Sequence, residues 1–183
     1  MIREVNVKEI TENIKEMCIE ANYTLSPDMD KAMKKAAEEE KSELGTKILN
    51  QLQENLVIAD SEKIPICQDT GMACVFLEIG QDVHITGGDL ADAINEGVRR
   101  GYDKGYLRKS VVKDPIERVN TKDNTPAIIH YNIVPGEKIK ITVAPKGFGS
   151  ENMSRVFMLK PADGIEGVKA VSYTHLRAHE TCA

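Results

Sequence analysis

Hydrophobic residues in the first sixty positions recur at the spacing of amphipathic helices. A first helix is predicted to carry one apolar stripe, formed by Ile10, Ile14, Met17 and Ala21. Ser26 and Pro27 suit the N-cap and first turn of a second helix, which Gly45 separates from a third. The third helix presents Ile48, Leu52 and Leu56. The pattern therefore predicts three consecutive helices.

After these helices the chain changes to short apolar runs that are typical of strands. Ile64-Pro65-Ile66 is held extended by its proline, and Ala73–Ile79 is rich in strand-forming residues. His84 and Ile85 are predicted to extend a hairpin or a sheet edge. These segments predict the beginning of a β-sheet.

One more helix interrupts the predicted strands. It begins after Gly87-Gly88-Asp89, and its own glycines, Gly97 and Gly101, predict close packing against another element. Two strands follow, Ala127–Val134 and Lys138–Ala144, joined by a Pro-Gly turn. N-terminal helices followed by strands with an interspersed helix favour an α+β fold with a mixed or antiparallel sheet.

Composition narrows the function classes. The 183 residues include 24 basic and 29 acidic side chains, a net charge of −5, and only 4% are aromatic. These values argue against a nucleic-acid partner. No apolar run approaches the ~20 residues that cross a bilayer, and the N-terminus lacks the apolar stretch of a signal peptide. We expect a cytoplasmic protein with no membrane partner.

Four cysteines, Cys18, Cys67, Cys74 and Cys182, are too few and too scattered for a disulfide scaffold. In a reducing compartment each can be a buried thiol, a nucleophile or a ligand to a metal or cluster. We interpret Cys18, on a predicted amphipathic helix, and Cys74, in a predicted strand, as core thiols.

Three polar segments carry candidate chemistry. Cys67-Gln68-Asp69-Thr70-Gly71 is typical of a binding loop leaving a sheet, although a turn with the cysteine packed inward is equally compatible. Residues 99–118 carry 7 basic and 3 acidic side chains. Arg108 is the best candidate there to bind a carboxylate, the alternative being a solvated basic face. Gly147 and Gly149 let a third segment's backbone approach a ligand.

Four ordered blocks resemble the iron–sulfur hydro-lyases that include class I fumarase and L-tartrate dehydratase, specifically their alpha subunit or N-terminal catalytic portion. The blocks are IPICQDTG at 64–71, LRKSVVKDP at 107–115, RVNTKDNTPAIIHYNIVPG at 118–136 and APKGFGSENMSR at 144–155. The likeness extends from the N-terminus to about Ala170. It identifies residues 1–170 as an incomplete, N-terminal part of such a catalytic domain.

The resemblance implies a [4Fe–4S] cluster held by three cysteines, with Cys67 as its first ligand. An iron with an open position then acts as a Lewis acid on the substrate hydroxyl. Asp69 is implied as the catalytic residue, placed to exchange that hydroxyl's proton. The residues implied to bind a small dicarboxylate substrate are Gln68, Asp69, Arg108, Gly147 and Gly149.

Two departures from the family matter. The second and third cluster cysteines lie downstream of the matching region, so we expect them in a missing C-terminal part. After Ala170 the family pattern is replaced by VSYTHLRAHETCA at 171–183, which we interpret as a foreign or frame-shifted tail. We therefore expect the isolated chain to be inactive.

Reversible hydration of fumarate to (S)-malate is the predicted reaction. The resemblance implies a beta subunit or C-terminal fumarase-type domain as partner, which supplies the remaining catalytic base, and we expect an oligomer at full length. L(+)-tartrate dehydratase is the nearest alternative because it shares the four blocks. A second alternative is a non-enzymatic thiol redox or anion-binding module that uses Cys67 near Arg108.

Overall fold

The computed structural model describes residues 2–147 and 156–175. The chain divides into two compact units, Met1–Lys146 and Gly147–Ala183. The elements described in the first unit are β1 (Arg3–Asn6), α1 (Val7–Tyr23), α2 (Pro27–Glu39), α3 (Glu43–Glu62), β2 (Met72–Gly80), β3 (Val83–Thr86), α4 (Leu90–Lys104), β4 (Ile128–Val134) and β5 (Ile139–Lys146). Those of the second unit are a 3₁₀ turn (Pro161–Asp163) and α5 (Gly164–His175).

A three-stranded mixed sheet organises the first unit. Its order is β4-β2-β5, with β2 parallel to β4 and antiparallel to β5. Alternate residues of β2 point into the core, and these are Ala73, Val75, Leu77 and Ile79. A separate pair of parallel strands, β1 and β3, completes the strands described there. The helices and the mixed sheet confirm the predicted α+β class.

The turn between β4 and β5 carries the chain across the end of β2. Gly80 N donates to Lys138 O at 2.8 Å, and Gln81 N donates to Val134 O at 2.8 Å. A Cβ atom on Gly80 would lie only 2.3 Å from Gly136 O. A residue with a side chain therefore does not fit at position 80. The Pro-Gly turn does not pair β4 with β5, because β2 lies between them.

Helices α1 and α4 pack against each other. A Cβ atom on Gly97 would lie 2.8 Å from Thr11 O, and one on Gly101 would lie 2.8 Å from Cys18 Cβ. The two glycines therefore allow the helix backbones to approach closely, as the sequence predicts. Both helices contribute to one core with β2, which includes Ile10, Ile14, Cys18, Val75, Leu77, Ile94, Val98 and Tyr102.

For the N-terminal residues, one expectation is wrong and another is right only in part. Residues 3–6 form β1, whose partner β3 lies some eighty residues away in the chain, so no local pattern marks it. In the predicted stripe of α1, Ile10 and Ile14 are buried as expected. Met17 is only partly buried and Ala21 is exposed, and Cys18 is buried in their place. The reason is that α4 packs against the side of α1 that carries Ile14 and Cys18, which buries Cys18.

The second and third predicted helices form with one change at their junction. α2 begins at Pro27 after Ser26, as expected. Gly45, however, lies inside the first turn of α3, and Ser42 caps that helix by accepting the Gly45 N–H at 3.3 Å. The break between the two helices is therefore at residues 40–42.

The predicted boundary between Ala170 and Val171 falls within α5, and residues 176–183 lie outside the described part of the chain. The assignment of 171–183 as a tail stays a prediction. Among the described residues, no helix combines the length and the apolar character needed to span a bilayer.

Candidate active site

The segment that contains Cys67 connects α3 to β2. It enters the sheet, so the expectation of a loop leaving a strand is wrong in direction. The start of the segment is fixed by Ile66, whose N–H donates to Asn22 O at 2.9 Å and whose carbonyl accepts Asn55 Nδ2 at 2.9 Å. The predicted extended run before it therefore becomes a loop anchored on α1 and α3.

Residues 67–71 form a turn that exposes the thiol. Asp69 N donates to Cys67 Sγ at 3.5 Å, and Asp69 Oδ1 accepts the Gly71 N–H at 3.2 Å. Gly71 has φ of +59°, a conformation that glycine adopts without strain. The turn-forming interpretation of this segment is thus right, but Cys67 is exposed and not packed inward. Gln68 is exposed as well, and Asp69 is half-buried.

Thr70 joins this turn to the segment that carries Arg108. The Arg108 N–H donates to Thr70 Oγ1 at 2.8 Å, and Thr70 Oγ1 lies 3.3 Å from Arg108 O, to which it donates. Tyr102, buried in the core, donates its hydroxyl to Thr70 O at 2.9 Å. Burial raises the pKa of Tyr102, so this hydroxyl keeps its proton and stays a donor. Thr70, near the end of the turn, is therefore bonded to α4 through Tyr102.

Asn124 holds three segments together. Its Oδ1 accepts the N–H groups of Ser110 and Val111 at 2.7 and 3.1 Å, and its Nδ2 donates to Gly71 O at 3.1 Å. The residue is fully buried and has φ of +62°, a region that asparagine tolerates better than most residues. One amide side chain thus connects the Cys67 turn to the backbone after Arg108.

The basic residues around Arg108 differ in their partners. Arg99 pairs with Glu96 and Asp123, and Arg100 pairs with Glu96 and Glu12. Within the described part of the chain, Arg108 makes no ion pair, and its side chain is exposed. The predicted basic segment is therefore partly neutralised, while Arg108 keeps its guanidinium available to an external anion.

Asp123 stabilises the segment beside Asn124. Its Oδ1 accepts the N–H and the hydroxyl of Thr125 at 3.0 and 2.8 Å, and its Oδ2 accepts Arg99 Nε at 3.1 Å. Burial raises the pKa of Asp123, but the hydrogen bonds from Thr125 and Arg99 outweigh it and bring the pKa to about 2. The folded state therefore favours the ionised carboxylate.

This lowered pKa predicts a pH-dependent contribution to stability. Because the unfolded group titrates near 3.8, the contribution is present above about pH 4 and is lost as the pH falls toward 2. We expect Asp123→Asn to lower the free energy of unfolding by about 1–2 kcal/mol at pH 7, after allowing for solvent screening. Urea denaturation at pH 7 and pH 2.5 measures this.

A matched control is Asp103→Asn, since Asp103 is an exposed carboxylate that pairs with Lys109. It should change stability by less than about 0.5 kcal/mol at pH 7. An Asp123→Asn variant that is equally destabilised at both pH values would contradict the assignment.

The remaining described cysteines do not resemble Cys67. Cys18 is fully buried, and burial raises the pKa of its thiol to about 12, which confirms it as a core thiol. Cys74 is only half-buried, on the face of β2 opposite Ala73 and Val75, so the prediction of a core thiol is wrong for this residue. In the described residues no three His, Cys, Asp or Glu side chains gather as a metal-binding group. Cys67 is the exposed thiol among these three.

The structure thus connects the turn that carries Cys67, Gln68 and Asp69 to the backbone of Arg108 through Thr70. Gly147 directly follows β5 in the chain and is half-buried, and Gly149 lies outside the described residues. Thr70 and Asn124 position these segments, and the sequence does not reveal that role. Thr70 lies in the block CQDTG and Asn124 in the block RVNTKDNTP. Nothing in the sequence shows that their side chains bind distant backbone atoms.

Comparisons with known proteins give the same family that these blocks resemble. A protein of Methanocaldococcus jannaschii, named provisionally as L(+)-tartrate dehydratase subunit alpha, is 38% identical over 88% of this chain and 58% of its own length. The L(+)-tartrate dehydratase subunit alpha of Escherichia coli (strain UTI89) is 29% identical over 92% and 57%. The anaerobic class I fumarate hydratase of Escherichia coli (strain K12) is 35% identical over 64% and 22%.

The chain therefore spans less than three-fifths of the length of these alpha subunits and about a fifth of that fumarate hydratase. The family model described as fumarate hydratase (Fumerase) matches residues 11–183. Since that match covers nearly the whole sequence, the chain belongs to the fumarate hydratase (Fumerase) family.

Proposed function

We propose that this chain is the N-terminal part of an iron–sulfur hydro-lyase that hydrates fumarate to (S)-malate reversibly. The observation that carries the proposal is the exposed Cys67 thiol in a turn whose next residues are tied to Arg108 by Thr70. A soft metal ligand and a carboxylate thereby lie on a turn that is bonded to the backbone of Arg108, whose guanidinium is exposed.

The described residues fit one corner of a [4Fe–4S] cluster. Cys67 would hold it as a thiolate ligand, and the Asp69 N–H donates to Cys67 Sγ. Cys18 is excluded as a ligand because it is buried in the core. When bound, the cluster supplies a Lewis acid for the oxygen of the substrate hydroxyl. Two further cysteine ligands are expected in sequence downstream of this region.

The substrate is held and protonated by this chain's own residues. Arg108 binds one substrate carboxylate through paired N–H donors, and Gln68 supplies amide hydrogen bonds. Asp69 takes up or releases the proton of the substrate hydroxyl at its carboxylate, which the Gly71 N–H orients. Gly147 and Gly149 are also proposed to bind the substrate, as the resemblance to the family implies.

L(+)-tartrate is the second candidate substrate. The relatives that cover most of this chain are named as L(+)-tartrate dehydratase alpha subunits, whereas the matched fumarate hydratases cover less of it. Both substrates are four-carbon dicarboxylates, so Arg108 and Gln68 would serve either. The word alpha in those names supports a beta subunit, or an equivalent C-terminal domain, as partner. We also propose a cytoplasmic location and an oligomeric complete protein.

Anaerobic reconstitution with iron and sulfide tests the proposal. Because 171–183 is proposed to be a foreign tail, the gene is first re-read beyond codon 170. The sample is the polypeptide that this corrected gene encodes, mixed with its beta-type partner. We expect Cys67→Ala to abolish both the visible absorbance of the cluster and the hydratase activity. The matched control is Cys74→Ser, which removes a half-buried thiol and should keep both.

Retention of absorbance and activity by Cys67→Ala removes Cys67 from the ligands. A wild-type protein that binds no iron, but whose Cys67 reacts rapidly with disulfides, would favour the thiol redox module instead. Activity with L(+)-tartrate and not with fumarate assigns the second candidate substrate.

A further inference from the structure

Buried polar groups are concentrated behind the Cys67 turn. In the described part of the chain they include the Tyr102 hydroxyl and the side chains of Thr11, Asn22, Thr70 and Asn124. All of these residues except Thr11 belong to the turn or bond to the backbone of residues 66–71. Burying a polar group costs free energy unless the group finds a partner. Their concentration at one turn therefore indicates that the position of this turn is closely specified.

Tyr102 bonds to both parts of the candidate site. Its hydroxyl donates to Thr70 O at 2.9 Å, and its backbone carbonyl accepts the Leu107 N–H at 3.0 Å. Thr70 belongs to the turn, and Leu107 directly precedes Arg108 in the chain. One residue thus links the turn that carries Asp69 to the backbone that carries Arg108.

Tyr102 is itself held in the core. It lies in the last turn of α4 and is only 1% exposed. Close packing at Gly97 and Gly101 joins α4 to α1, and the Asn22 side chain of α1 lies beside the Tyr102 hydroxyl. Packing of this kind locks the rotamer of the tyrosine, so its hydroxyl is directed at Thr70 O before any ligand binds.

Packing alone does not require a tyrosine at position 102. Phenylalanine would fill the same space and would leave no buried hydroxyl to be satisfied. The hydroxyl is explained by the Thr70 carbonyl that it binds.

We propose that Tyr102 is a positioning residue of the candidate active site. Its hydroxyl holds the Cys67 turn against the backbone of Arg108, so that a substrate carboxylate bound by Arg108 is presented to Asp69. The inference rests on the proposed function for its substrate, a four-carbon dicarboxylate. The attachment of the turn involves only atoms of this chain.

Hydrogen exchange of the full 183-residue chain tests the attachment. Tyr102→Phe keeps the ring and removes only the donor to Thr70 O. We expect the Arg108 amide, which is bonded to Thr70 Oγ1, to exchange about fivefold faster in this variant. Mass spectrometry of the peptide covering residues 106–111 measures the rate, and circular dichroism verifies the fold.

Thr11→Val is the matched control. It also removes a buried hydroxyl that donates to a backbone carbonyl, that of Ala93 at 2.9 Å, and it keeps the shape of the side chain. Ala93 lies nine residues before Tyr102 in α4. The control should leave exchange at Arg108 within about twofold of wild type.

Kinetics of the reconstituted protein test the consequence for the substrate. A carboxylate clamp binds the substrate and the transition state alike, so its displacement raises KM more than it lowers kcat. We expect Tyr102→Phe to raise KM about fivefold to tenfold and to change kcat by less than about threefold. Thr11→Val should leave both constants within about twofold of wild type. Simple loss of folded protein would lower the apparent kcat and leave KM unchanged.

A double variant tests whether Tyr102 acts through Thr70. Two changes on one hydrogen-bonded path are not additive, so T70V/Y102F should have a KM within about threefold of that of Thr70→Val alone. Independent, multiplying effects on KM would show that Tyr102 acts by another route and would contradict the proposal.

Two other results would overturn the positioning role. One is unchanged exchange at Arg108 in Tyr102→Phe, and the other is an active wild type whose KM this variant does not alter. A reconstituted wild type without hydratase activity would remove the proposed function and, with it, the role in substrate binding. Accelerated exchange at Arg108 would in that case still establish Tyr102 as the attachment of the turn.

Discussion

Replacing Asn124 by alanine is expected to lower the free energy of unfolding by about 3–5 kcal/mol. The change strips Gly71 O of a donor and leaves the N–H groups of Ser110 and Val111 without the oxygen that they share. Each buried polar group without a partner costs about 1–3 kcal/mol. Alanine also tolerates the φ of +62° less well than asparagine does. Chemical denaturation monitored by circular dichroism measures the loss.

Two further variants separate these causes. Asn124→Gly accepts the left-handed backbone without strain but lacks the amide, so its difference from Asn124→Ala measures the conformational cost, about 1 kcal/mol. Asn120→Ala removes an exposed amide that donates to Lys109 O at 2.7 Å in the same segment, and it should cost about 1 kcal/mol or less. A loss at Asn124→Ala no larger than at Asn120→Ala would show that Asn124 does not hold the segments together.

Replacing Thr70 by valine is expected to cost about 2–3 kcal/mol. Valine has nearly the same shape but offers no oxygen to the Arg108 N–H, which is bound at 2.8 Å in the native protein. The backbone at Arg108 then loses its attachment to the Cys67 turn. We expect hydrogen exchange at the Arg108 amide to accelerate at least about tenfold, which mass spectrometry of the peptide covering residues 106–111 can detect.

Thr70→Ser is the conservative control because it keeps the oxygen and removes only a methyl group. It should preserve slow exchange at Arg108 and cost about 1 kcal/mol. If Thr70→Ser exchanges as fast as Thr70→Val, then packing of the methyl group, and not the hydrogen bond, attaches Arg108 to the turn.

The elements predicted from the sequence are those whose signals are local. Ser26 and Pro27 mark the start of α2, Asp89 marks the start of α4 by accepting the Asp92 N–H, and the apolar run at 73–79 marks β2. β1 has no such signal. It is four residues long, and pairing with β3 decides its conformation.

The candidate site also has a part that the sequence predicts and a part that it does not. The polar turn at 67–71 and Arg108 are visible as residue types in a pattern, and the blocks around them are similar to those of the family. The bonds that connect them are made between a side chain and the backbone of a distant segment, as from Asn124 to Gly71. Hydrophobic periodicity does not encode such bonds, so only the three-dimensional arrangement shows them.

The turn that carries Cys67 depends on residues far along the chain on both sides. Asn22 precedes it by more than forty positions and binds Ile66, whereas Asn124 follows it by more than fifty and binds Gly71. A synthetic peptide containing only the turn lacks both anchors and must sample many shapes. Reactivity of Cys67 that depends on the native geometry of the turn therefore reports cooperative folding of the whole first unit. Proteolytic cleavage between the turn and Asn124 should abolish that reactivity.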